Sequence, residues 1–197
     1  MARFGWKLAL CLLLAVGAGF GLLALKSGDA FYSAYEWLSP ARFQRYDRLI
    51  ETVAAEHQLD PMLVKAVVWR ESRFDRSKVG TADERGLMQV APKAATEWAR
   101  EHKVADFNLE QLFDPKTNLE AGSWYLRRAI EHWQTQSDPL PLALAEYNAG
   151  ASRAQRWAGA GGTTTEQLLS QIDFPATRQY AKSILDRYAF YKRRGRM

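Results

Sequence analysis

Asp60-Pro-Met-Leu-Val-Lys-Ala-Val-Val-Trp-Arg-Glu-Ser-Arg-Phe74 and, after a polar loop, Arg85-Gly-Leu-Met-Gln-Val-Ala-Pro92 form the stretch that decides the fold. Asp60 can accept a hydrogen bond from the free amides of a first helical turn, and Pro61 suits the position that needs no amide hydrogen, so a helix starts here. Its interior is apolar on nearly every side, which predicts a helix at the centre of a core. Leu63, Val67 and Glu71 are spaced by four and share one stripe. A carboxyl on that stripe is held against apolar neighbours, where burial disfavours its charged form and raises its pKa. A general acid working near neutral pH needs that property. The competing reading is a helix-end Glu turned toward water, and periodicity alone does not separate the two.

Outward from this helix the chain reads as helical throughout. Upstream, Phe43, Tyr46, Leu49, Ile50 and Val53 follow a helical stripe running to about His57. Residues 73–85 are polar and non-periodic and read as a loop forming one wall of a cleft. Its acids, Asp75, Asp83 and Glu84, are either solvated loop residues or the source of a second catalytic carboxylate. Pro92 opens a helix through Trp98 to about His102, and Asp114-Pro115 precedes another that carries Trp124, Tyr125, Leu126 and Trp133. Pro139 and Pro141 open the helix that delivers Tyr147, and Gly150 is expected to end it in a left-handed cap. Glu146 is expected to face water, as helical Glu usually does. The glycine-rich run at 159–162 follows no strand, which rules out a phosphate-binding loop and leaves a surface loop. A final helix runs from about Pro175 to Arg193. The fold class is therefore all-α.

The N-terminus is of a different character. Arg3 and Lys7 precede an uncharged run from Leu8 to Leu25, closed by Lys26. At about 1.5 Å per residue this reaches roughly 27 Å, near the ~30 Å of a bilayer core. A secretory signal is the alternative, but its apolar part is shorter, about 7 to 15 residues, and residues 24–30 offer no clean cleavage site. The leading charges place the N-terminus in the cytoplasm and the remaining chain outside the membrane. The sequence thus divides into an anchor at 1–27, a juxtamembrane segment at 28–44 and a globular domain at 45–197. Cys11 is the only cysteine and lies in the apolar run, so the outer domain has no disulfide, and His57, His102 and His132 lack metal-ligand spacing. The net charge of +5 is concentrated at the ends: residues 27–191 hold 20 basic against 22 acidic residues. That near-neutral body excludes nucleic acid as a partner on charge grounds.

Three strings in order, Glu71-Ser72, Gly86-Leu87-Met88-Gln89 and Tyr147-Asn148-Ala149-Gly150, resemble the catalytic domain of soluble lytic transglycosylases. Leu112-Phe113-Asp114-Pro115 with Asn118-Leu119 and Thr177-Arg178-Gln179-Tyr180 are similar to the same family, so the likeness covers about residues 45 to 190. The resemblance implies a lysozyme-like helical fold and a peptidoglycan substrate. It implies Glu71 as the acid that protonates the bond between N-acetylmuramic acid and N-acetylglucosamine and then as the base. The muramoyl C6 hydroxyl then closes a 1,6-anhydro ring, with no metal or other cofactor. Gln89 and Asn148 would line the sugar groove, Tyr147 would hydrogen-bond near Glu71, and Tyr180 would complete the wall; both tyrosines also read as core aromatics. With the apolar run, the implied setting is the periplasmic face of a bacterial inner membrane. Departures from the family pattern fall at Gly80, where a groove serine is usual, and at Asp83, Ala91, Glu146 and Ala176. The other readings are a goose-type muramidase, which uses water as the nucleophile, and an anchored module that binds peptidoglycan or an envelope partner without cleaving.

Overall fold

The computed structural model describes residues 15–19, 35–36, 38–158 and 164–195. It divides into two units, 1–43 and 44–197. Within the first, the Tyr35 and Phe43 rings meet edge to face at 5.6 Å, and the Arg42 guanidinium lies over the Tyr35 ring. Among the described residues no helix is long and apolar enough to cross a membrane. The expected span at 8–25 lies outside the described residues except for 15–19, which are helical, and Cys11 and the glycine-rich run at 159–162 also lie outside them.

The second unit consists of α1 (Asp47–Glu56), α2 (Pro61–Ser72), α3 (Pro92–Glu101), a 3-10 turn (Leu109–Phe113), α4 (Pro115–His132), α5 (Leu140–Ala149), α6 (Ala151–Ala158), α7 (Thr165–Gln171) and α8 (Pro175–Arg194). Its described residues form no strand, only two isolated bridges, Val79 with Arg85 and Arg85 with Val90, inside the loop after α2. Two helices, α2 and α5, are buried on most sides: Leu63, Val64, Ala66, Val67 and Val68 in one, Leu142, Ala143, Leu144 and Ala145 in the other. The long α8 packs on both, and α4 covers α5. The start of α2 is built as its sequence implies. Asp60 Oδ1 accepts from the Met62 amide at 2.9 Å, and Pro61 occupies the first turn. The other oxygen of Asp60 holds Tyr188 and Lys192 of α8 at 2.8 and 2.9 Å. One carboxylate therefore caps α2 and fastens α8 against it.

Three buried cationic or polar side chains fix how the helices meet. Lys65, 2% exposed, reaches Asp47 of α1 at 2.7 Å, which offsets the large cost of burying an ammonium. Trp69 is sandwiched between the guanidinium of Arg73 at 3.5 Å and that of fully buried Arg187 at 3.9 Å, both measured to the ring centre. Asn118, fully buried in α4, accepts from the Met88 amide at 2.8 Å and donates to the carbonyls of Arg85 and Leu112 at 2.7 and 2.9 Å.

Several elements differ from the sequence expectation. The stripe from Phe43 to Val53 is not one helix: it breaks at Arg45 and Tyr46, because Tyr46 adopts a non-helical cap conformation before α1. Gly150 has φ 87° and ψ 155°, not the left-handed helical cap expected. That region is open essentially to glycine alone, and it lets α6 begin at the next residue. Neither α6 nor α7 was expected. Helix α6 buries only Ala154 and Trp157, too few to show a period, whereas α7 did carry a signal in the Thr164 to Gln167 capping box.

Candidate active site

Glu71 stands in the last turn of α2. The helix ends there because Arg73 and Phe74 both take left-handed conformations, φ 53° and 63°. Phe74 is buried, Arg73 Nη1 donates to the Trp69 carbonyl at 2.7 Å, and the Arg73 guanidinium rests on the Trp69 ring, so packing holds a backbone that non-glycine residues rarely adopt. The chain then turns back over the end of α2 as a loop. Asp75 accepts from the amide and hydroxyl of Ser77, and Asp83 forks with Arg85 at 3.0 and 3.2 Å while Arg85 also reaches Glu110. Those two acids are structural. Glu84 remains partly exposed and lines the same groove as Glu71.

Three elements meet around Glu71 and its groove. From α8, the Tyr180 hydroxyl donates to Glu71 Oε1 at 2.6 Å. From the loop, Lys78 Nζ donates to the Glu71 main-chain carbonyl. Gln89, at φ 48°, uses its amide nitrogen on the carbonyls of Lys78 and Gly86, both at 3.0 Å, which leaves Oε1 as its groove-facing atom. Asn148 of α5 also lines the groove, and its Oδ1 accepts from Thr177 at 2.8 Å. That bond leaves the amide hydrogens of Asn148 to point elsewhere, so Gln89 offers an acceptor and Asn148 a donor. The groove encloses about 1230 Å³, more than the ~300–1,000 Å³ of a usual small-molecule cleft, which suits an extended ligand.

Both tyrosines stand close to Glu71, and Tyr180 makes the hydrogen bond to its carboxyl. The Tyr147 hydroxyl donates to the Met88 carbonyl at 3.0 Å, and its ring meets Tyr125 edge to face at 5.7 Å. It lines the groove and braces the loop, while Tyr180 makes the hydrogen bond to Glu71. The packing of α8 on α2 brings Tyr180 to Glu71, whereas the Tyr147 hydroxyl reaches the Met88 carbonyl in the loop. Glu146 is also corrected. It is 8% exposed rather than solvated, and its Oε2 accepts from Trp133 Nε1 at 2.8 Å and pairs with His132 Nδ1 at 2.7 Å, tying α5 to the end of α4. In the sequence Thr177 and Met88 read only as members of motif strings, since a hydroxyl that orients an amide and a carbonyl that receives a phenol leave no periodic mark.

Burial pushes the Glu71 carboxyl up from an ordinary 4.5 to about 7. The Tyr180 hydrogen bond, Arg70 and Lys78 oppose that rise, and the negative charge of Glu84 adds to it. Burial likewise pushes the phenols of Tyr147 and Tyr180 well above their usual range, so both are neutral donors. The arrangement is therefore a single carboxyl that holds a proton near neutral pH, placed on a wide polar groove. Among the described residues no group of three His, Cys, Asp or Glu is placed to hold a metal ion.

Comparison with known proteins agrees in fold and in family. The soluble lytic murein transglycosylase of Escherichia coli strain K12 is 27% identical over 150 residues, which are 75% of this chain and 23% of that protein. The membrane-bound lytic murein transglycosylase F of Desulfosudis oleivorans is 32% identical over 112 residues, 55% of this chain and 23% of that one. The crystal structure of the 70 kDa soluble lytic transglycosylase of E. coli superposes with a TM-score of 0.68 at 26% identity, covering 75% of this chain and 24% of that one. This chain thus spans about a quarter of the length of these relatives. The model of the Transglycosylase SLT domain matches residues 48–169, which hold Glu71, Gln89, Tyr147 and Asn148, and the chain belongs to that family.

Proposed function

We propose that the groove binds a peptidoglycan glycan strand and that the protein is a lytic transglycosylase. The observation that carries this reading is Glu71, protonated up to about pH 7 and hydrogen-bonded to Tyr180 on the floor of an extended groove. Glu71 gives its proton to the glycosidic oxygen between N-acetylmuramic acid and N-acetylglucosamine, and the bond from C1 to that oxygen breaks. The Glu71 carboxylate, steadied by the neutral Tyr180 hydroxyl, then takes the proton of the muramoyl C6 hydroxyl as that oxygen attacks C1. A 1,6-anhydro ring closes, Glu71 is reprotonated, and no water is consumed. Held in the groove, the C6 hydroxyl outruns water through its high effective concentration. The names of the relatives support the same reading.

The released glycans are expected to end in 1,6-anhydro-N-acetylmuramic acid. That end lacks a reducing group, so borohydride leaves its mass unchanged. Mass spectrometry of products from purified peptidoglycan tests this: reducible N-acetylmuramic acid ends would make the protein a muramidase, and intact binding without products would make it a non-cleaving module.

We also propose that residues 8–25 anchor the chain in the inner membrane with the catalytic domain in the periplasm. The leading Arg3 and Lys7, the length of the uncharged run and the membrane-bound relative support this. The full-length protein should sediment with membranes and resist extraction by carbonate. A soluble form whose N-terminus lies between residues 27 and 31 would show instead that the run is a cleaved signal.

A further inference from the structure

The loop wall of the groove has a feature that proton transfer by Glu71 does not use. Gly80 and Glu84 face each other across a tight turn, in which the Gly80 amide donates to the Glu84 carbonyl at 2.7 Å and the Ala82 amide to Glu84 Oε2 at 3.0 Å. The Glu84 carboxylate is folded over Gly80. A side chain at position 80 would occupy the place of Glu84 Oε2 and come within 3.1 Å of Gln89 Oε1. A carboxylate oxygen and an amide oxygen therefore border one small space above the Gly80 Cα.

Both of these groups are acceptors. The amide hydrogens of Gln89 are used on the Lys78 and Gly86 carbonyls, which fixes its oxygen toward this space. Among the described residues, neither Gln89 Oε1 nor Glu84 Oε1 meets a donor. Glu84, Gly80, Gln89 and Glu71 all line the one groove. Two acceptors on one wall of the groove suit a ligand that brings a hydrogen.

We propose that Glu84 is a substrate-binding carboxylate of the groove, which with Gln89 Oε1 takes a hydroxyl or acetamido N–H of a bound sugar, and that Gly80 is there to make room for it. This rests on the reading of the groove as a glycan site. The role is binding, not proton transfer: Glu71 remains the group that protonates and deprotonates. The influence of the Glu84 charge on Glu71 is consistent with the two groups sharing one wall and floor.

The test uses the full-length Glu71→Gln variant, which cannot turn over, and N-acetylglucosamine oligomers and purified muropeptides as ligands in calorimetry. Adding Glu84→Ala should weaken binding by about 10- to 100-fold, the worth of a hydrogen bond to a charged group. Glu84→Gln, which keeps an oxygen acceptor without the charge, should recover part of the loss. Gly80→Ala, which displaces the carboxylate without removing it, should weaken binding, and its effect should not add to that of Glu84→Ala. In the active protein the same changes should raise KM and leave kcat within a few-fold. Glycan binding that survives both Glu84→Ala and Gly80→Ala overturns this inference alone, whereas a Glu71→Gln variant that binds no glycan overturns it together with the proposed function. Reducible ends from the parent that become anhydro ends on Glu84→Gln would make Glu84 the base of a hydrolytic reaction and overturn both the proposed function and the role of Glu84 as a binding group only.

Discussion

Glu71→Gln is expected to remove almost all glycan cleavage while leaving the protein folded and able to bind. General acid catalysis is worth roughly 10² to 10⁴ in rate, and an amide has the shape of the carboxyl without its transferable proton. The hydrogen bond from Tyr180 survives, because the amide oxygen still accepts it. A variant that kept half of its activity would exclude Glu71 as the acid. Activity of the parent protein should fall as pH rises through about 7, as the buried carboxyl loses the proton it must donate. The limb should move with the local charges: it lies high because of burial first, and Glu84 raises it further, while Tyr180, Arg70 and Lys78 hold it down.

The same substitution has an opposite consequence for stability. A carboxyl that ionises near 4.5 when unfolded and near 7 when folded binds more protons in the native state between those values. Stability therefore falls as pH rises from about 4.5 to about 7 and stays lower above that. The gap corresponds to roughly 3 kcal/mol. Glu71→Gln has no such penalty, so at pH 8 it should unfold at higher denaturant than the parent, and at pH 4 the two should coincide. Urea midpoints at the two pH values measure this, and equal midpoints at pH 8 would mean that folding does not raise the Glu71 carboxyl. Together the two effects describe a residue placed for chemistry at the expense of the fold.

Much of this was legible in the sequence because it rests on local signals. Asp60-Pro61 marks the start of α2, Pro92, Pro115 and Pro175 mark three more helix starts, and the stripe of Leu63, Val67 and Glu71 puts the acid on the buried side. What was not legible depends on contacts between distant segments. Whether Tyr147 or Tyr180 touches Glu71 turns on how α5 and α8 meet α2, which no period encodes. Glu146 reads as a surface residue until His132 and Trp133, both on one side of it in space, supply its hydrogen bonds. Glu84 reads as one of three loop acids, and only the turn that folds it over Gly80 separates it from Asp75 and Asp83.

Gly86→Ala should be the most damaging small substitution in the loop. Gly86 has φ 77°, which disfavours any side chain, and a Cβ there would strike the Leu112 carbonyl oxygen and the Asn118 amide, 2.8 Å from its Cγ. Neither obstacle can yield cheaply. The Leu112 oxygen is backbone, and the Asn118 amide is committed to Met88, Arg85 and Leu112, so moving it leaves buried donors and acceptors unpaired at about 1–3 kcal/mol each. A loss of about 3 to 5 kcal/mol is expected, roughly 10 °C or more in Tm for a chain of this size. Gly150→Ala is the control: its φ is 87°, but no atom lies within 4 Å of the added carbon, so only the backbone strain of about 1–3 kcal/mol remains. Equal Tm losses for the two would show that strain alone, and not the Asn118 clasp, sets the cost. The clasp also bears on the site, since the Gly86 carbonyl accepts both the main-chain amide of Gln89 and its side-chain amide at 3.2 and 3.0 Å. Loosening it frees Gln89 to turn, so Gly86→Ala should weaken glycan binding even at temperatures where the helices remain folded.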